Sequence, residues 1–124
     1  MAINLLLANG SLSLSDNSDG TWNVGYTTDT AIGGFQFNVD GASVNSASGG
    51  DATANGFMIS VSGSAVLGFS LTGASIPAGS GTLVSVTFDG FQESICLADG
   101  VLSDPSGSAY AVELGDCYGG IVLQ

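Results

Sequence analysis

The feature that most constrains this chain is the strict alternation of apolar and polar side chains over residues 32–40. Phe35, Phe37 and Val39 fall on one face, and Gln36, Asn38 and Asp40 on the other. A period of two is the mark of a β-strand with one face on a core. Residues 57–61, 65–71 and 82–88 read as further strands, each closed by small turn residues. Around them, residues 3–8 and 11–14 (parted at Asn9-Gly10), 21–27, 42–48, 94–97, 101–102, 110–114 and 117–123 supply the remaining strand-like runs. Residues 48–56 read as a loop, residues 74–81 as a connection through Pro77, and residues 103–107 as a hairpin-type turn. No helical period is sustained. About nine short strands at spacings near ten residues predict one all-β domain over residues 1–124, an antiparallel β-sandwich. Phe35, Phe37, Val39, Phe57, Ile59, Val86 and Phe88 are its expected core.

Charge narrows the function. The chain has no Lys, Arg or His against nine Asp and two Glu, a formal net charge of −11. Nothing in it can neutralise phosphate, so nucleic acid and anionic membrane surfaces are excluded as partners. Copies of the protein repel one another unless salt screens the charge. Contacts to other molecules are therefore expected to be apolar, hydrogen-bonded, or made to a partner that brings its own Lys and Arg.

The same composition argues against an enzyme. General acid–base catalysis at neutral pH recruits His first and Lys next, and a Ser or Cys nucleophile needs a base to activate it. Asp89 and Glu93 are the one obvious carboxylate pair close in sequence, and surface solvation explains them. No cofactor is expected. The acidic loop Asp16-Asn17-Ser18-Asp19-Gly20 makes Asp16 and Asp19 the calcium candidates, although it lacks the distant bidentate Glu of a calcium loop. Turn chemistry gives the simpler account, an Asx-type turn. Trp22, Val24 and Tyr26 share one face of a strand, which suits either a core row or a sugar-stacking platform.

Cys96 and Cys117 leave two readings open. Paired, they close a loop whose chain entropy is worth about 3 kcal/mol. Reduced, they are small buried apolar residues. Residues 3–8 are apolar, but the run is short and no basic residue precedes it, so an export signal is not expected.

Two stretches give the chain a family resemblance. Ile32-Gly33-Gly34-Phe35-Gln36-Phe37-Asn38-Val39 resembles the "gGFqF" strand of cohesin-type domains. Ile76-Pro77-Ala78-Gly79-Ser80-Gly81-Thr82-Leu83-Val84-Ser85-Val86-Thr87-Phe88 resembles the Gly-rich turn and "tL-vtF" strand of the same family. Residues 98–104 onward look like its later strands, so the resemblance spans residues 32–123. It implies a nine-stranded jelly-roll sandwich and a protein partner. The stretch Asp40-Gly41-Ala42-Ser43-Val44 is shorter than the Tyr-Asp-Pro segment and Leu-rich strand usual there, and no dockerin-binding residue is carried over onto this chain. Short acidic variants of this pattern resemble structural proteins of marine bacteria and their phages.

Three functional expectations follow. The first is a structural protein docking on a large assembly, a capsid decoration or other external virion protein of a marine phage, located at the virion surface. Its partner is then a capsid or other virion protein, with residues 16–20 or 49–56 at the interface, and it can be oligomeric on the assembly. The second is an extracellular or cell-surface module for a dockerin-like partner or a carbohydrate, the latter requiring an exposed Trp22 or Tyr26. The third is calcium-dependent adhesion through Asp16 and Asp19. The apolar ends, residues 1–14 and 119–124, are expected to pair with each other inside the fold.

Overall fold

The computed structural model describes residues 10–89 and 94–119. Among them eleven strands and one short helix run in the order β1 (Gly10–Asp16), β2 (Trp22–Thr28), β3 (Gly34–Asp40), β4 (Ser43–Ser48), α1 (Gly50–Ala54), β5 (Met58–Ser62), β6 (Ala65–Phe69), β7 (Gly79–Asp89), β8 (Ser94–Ser103), β9 (Ala109–Tyr110), β10 (Val112–Leu114) and β11 (Tyr118–Gly119). The strands form two sheets, ordered β10-β1-β2-β7-β4 and β11-β8-β3-β6-β5, with β9 added to β8. Every pairing is antiparallel except β1 with β10, which is parallel. The fold is an all-β sandwich.

Alternation explains how the two sheets face each other. On β3, Phe35, Phe37 and Val39 point inward; on β2, Trp22, Val24 and Tyr26 do; on β7, Val84, Val86 and Phe88 do. Phe37, Leu12, Ile32, Ile76, Leu83 and Leu102 are wholly buried. Phe35 stacks between Phe37 and Phe57 at centroid distances of 6.3 and 6.2 Å. Of the expected core residues, Ile59 alone is only partly buried, because β5 is an edge strand whose one ladder partner among the described residues is β6. Gly68 is needed where it stands: a Cβ there would lie 2.1 Å from the Phe35 ring.

The structure corrects three expectations. Residues 50–54 form a helical turn, α1, inside the stretch read as a loop. Five residues are too few to carry a helical period, so pattern could not reveal it. Ala52 of α1 is buried, and the Tyr26 hydroxyl donates a 2.6 Å hydrogen bond to Asp51 Oδ2, fastening the turn to the sandwich. The runs at 94–97 and 101–102 are one strand, β8, continuous through a bulge. Residues 110–114 divide between sheets: Tyr110 pairs with Leu102 of β8, while Val112–Leu114 pairs with β1. The expected pairing of residues 1–14 with residues 119–124 falls almost wholly outside the described residues. Residues 3–8, Glu93 with its Asp89 pairing, and the last strand beyond Gly119 lie outside the described residues.

Candidate functional site

A sandwich hides one face of each sheet and leaves the other to solvent, so the outer faces are where a rigid β-domain can offer side chains. On the β8-β3-β6-β5 sheet the outward positions form cross-strand rows. Gln36 of β3 lies between Leu67 of β6 and Val101 of β8; the neighbouring row runs Met58, Phe69, Gly34, Ser103. Met58, Leu67 and Val101 are 52%, 43% and 42% exposed, three of the five large exposed apolar residues among those described. Leu71, just beyond β6, is a fourth. Solvent-facing apolar side chains scattered singly mean little, but a contiguous group on one sheet face marks an interaction site.

The rows have relief. Gly34 has no side chain, and the sheet surface sinks there into a depression of about 300 Å³ bordered by Gln36, Leu67, Phe69, Val101 and Ser103. Phe35 and Gly68 form part of its floor. The other end of the face is acidic. Asp99 and Gly100 together oppose Phe37, because Gln36 pairs with Val101 and Asn38 with Ala98. This bulge puts Asp99 at φ 52, a left-handed conformation that Asp tolerates better than most residues. Its Oδ2 accepts a 2.9 Å hydrogen bond from Asn38 Nδ2, and Asp40 is exposed at the end of β3. The face thus joins an apolar half to an acidic half.

The residues singled out in the sequence lie elsewhere. Trp22 and Tyr26 are each 6% exposed and belong to the core, which removes the sugar-stacking platform: Trp22 packs between Phe88 and Tyr118, at 5.5 and 4.6 Å. Burial, with the Asp51 carboxylate second, pushes the Tyr26 phenol up to about 12. Asp16 and Asp19 cap their own turn. Asp16 Oδ1 accepts from the Ser18 amide, and Asp19 Oδ1 accepts from both the amide and the hydroxyl of Thr21. These bonds hold the Asp19 carboxyl below the usual carboxylate range. Asp104 is lowered in the same way, by Ser106 first. No group of three or more metal-ligating side chains occurs among the described residues.

Cys96 and Cys117 are joined in a disulfide. It clips β11 to the β8 edge, where Tyr118 pairs with Ile95 and its ring meets Trp22 edge-on.

Leu67, Phe69 and Val101 escaped the sequence reading because β6 and β8 are apolar at both parities. Only knowing that Val66, Gly68 and Leu102 face inward assigns their neighbours to the outside. A strand apolar on both faces of a solvent-exposed sheet was the available signal.

No protein-family model matches the chain, and no curated protein matches it. Solved structures do. A non-cellulosomal cohesin from the hyperthermophilic archaeon Archaeoglobus fulgidus is similar at 19% identity and a TM-score of 0.61, over 86% of each chain. A chain of a type I cohesin–dockerin complex from Clostridium thermocellum is similar at 10% identity and a TM-score of 0.63, over 93% of this chain and 94% of that one. At such identities the likeness is one of architecture, and it agrees with the strand order and motifs described above: this chain has a cohesin-like fold.

Proposed function

We propose that this domain is a non-catalytic docking module that binds another protein through the outer face of its β8-β3-β6-β5 sheet. One observation carries the reading: Leu67, Phe69 and Val101 border a depression on an outer sheet face, with Met58 opposite Phe69 on the neighbouring strand and Asp40 and Asp99 at one side. The fitting partner has an apolar anchor for the depression and Lys or Arg beside it, because this chain supplies no cation of its own. The chain's composition supports a non-enzymatic role, since no His, Lys or Arg is present to serve in catalysis.

A dockerin-like protein is the partner that the fold likeness favours, one solved neighbour having been captured in a cohesin–dockerin complex. The finer reading from composition, a marine phage capsid decoration or other external virion protein at the virion surface, draws its support from the uncompensated charge of −11. The alternative location is extracellular or at the cell surface. Calorimetric titration against a panel of dockerin modules tests the favoured partner. At least one module is expected to bind, and Leu67→Glu or Val101→Glu is expected to weaken it tenfold or more (at least about 1.4 kcal/mol) without lowering the melting temperature. If the wild-type protein binds none, while mass spectrometry finds it as a constituent of purified virions, the virion reading replaces the dockerin one.

A further inference from the structure

We infer that β5 is a self-association edge, at which two copies of this chain join antiparallel to make one continuous sheet. All eleven carboxylates lie outside residues 52–88, a stretch that contains β5, β6 and most of β7. Since β7 is interior to its sheet, the β5–β6 hairpin is what carries this charge-free stretch to a sheet edge.

The four edges of the two sheets differ in how they are guarded. Natural edges are blunted by charge, proline, shortness or a bulge. β4 has a register shift between Val44 and Ser46. β10 is three residues long and carries Glu113; β11 is two residues long and lies beside Asp116 and the disulfide. β5 has neither a charge nor a proline nor a bulge, and its five residues pair with β6 in unbroken register, although α1 and β4 lie beside it and the Val44 amide donates to the Gly63 carbonyl at its end. Its outer ladder groups meet no further strand among the described residues.

The sequence of β5 also fits its own copy. A two-fold axis at Ser60 sets Ile59 opposite Val61 of the second copy, and Val61 opposite its Ile59. Both side chains face the core and are only partly buried in the single chain, where no strand among the described residues continues the sheet beyond them. An isologous antiparallel pair completes both contacts at once. A basic partner would find no complementary carboxylate along this edge, whereas a second copy needs none. The rest of the surface still repels its copy, so pairing is salt-dependent in a characteristic direction: it strengthens as salt rises, opposite to binding of a basic partner.

Sedimentation velocity of the full chain tests this. A dimer is expected in about 1 M NaCl, where the screening length is roughly 3 Å, and a monomer in about 0.01 M, where it is roughly 30 Å. Ser60→Asp places like charges at the axis and is expected to stay monomeric at both salts. Ser13→Asp, which adds the same charge on the exposed side of the other sheet, is expected to dimerise like the wild type. Amide hydrogen exchange of the wild-type protein provides a reading that needs no variant. Slower exchange in residues 58–62 with rising protein concentration at high salt supports the edge. A wild-type monomer at every salt, a Ser60→Asp dimer indistinguishable from wild type, or concentration-independent exchange in residues 58–62 overturns it.

Discussion

At the scale of single residues, the sandwich rests on a few side chains that have no room to be anything else. Phe37 is wholly buried and stacks on Phe35. Phe37→Ala should cost about 3–5 kcal/mol, read from the denaturant midpoint, because it leaves a cavity as well as losing apolar burial. Gly68 makes the opposite point. Gly68→Ala drives a methyl into the Phe35 ring, which a Cβ would meet at 2.1 Å, and should cost on the order of 3 kcal/mol in the same measurement. Tyr26 links stability to pH. Its phenol is pushed up to about 12, chiefly by burial and then by Asp51. A raised pKa means that folding favours the protonated form, so this contribution is whole below the unfolded value near 10 and is lost as pH climbs through about 12. Denaturant midpoints of the wild type should therefore fall across that window relative to Tyr26→Phe, and should run parallel to it below.

At the scale of elements, what the sequence revealed and what it hid have separate physical causes. β3 was legible because its burial alternates without a break, and β2 for the same reason. α1 was hidden: one turn held by Ala52 burial and the Tyr26–Asp51 bond leaves no periodic trace. The β8 bulge was hidden because Asp99-Gly100 interrupts the apolar run between residues 94–97 and 101–102, whereas here it kinks a strand that continues to Ser103. The candidate face was hidden because alternation assigns residues to sides only when one side is polar, and β6 is apolar on both. The Cys96–Cys117 link turns a two-residue strand, which would be marginal alone, into a cover for Trp22. Reducing it should lower stability by about 3 kcal/mol, as expected for a loop of this size. Trp22 is the chain's single tryptophan, so loss of the cover should also raise acrylamide quenching of its emission. Unchanged quenching after verified reduction would mean that Tyr118 holds its place without the disulfide.

At the scale of the whole molecule, a net charge of −11 with no basic side chain sets the terms of every contact. A basic partner approaching the Asp40 and Asp99 side of the face gains Coulombic attraction that salt screens, so association should slow as ionic strength rises. The apolar half of the face is insensitive to salt, and its contribution should appear in the dissociation rate. These two dependences separate recognition at the face from pairing at β5, which salt promotes.

The outer face of the β8-β3-β6-β5 sheet is the surface proposed to receive a protein partner. Amide chemical-shift mapping on the labelled protein, titrated with a bound dockerin module or with a solubilised capsid protein, tests it most directly. Perturbations are expected to cluster on Gln36, Asn38, Leu67, Phe69, Asp99 and Val101, with the β10-β1-β2-β7-β4 sheet unperturbed. Saturable binding whose perturbations fall on that second sheet, or on the loop at residues 16–20, would contradict it.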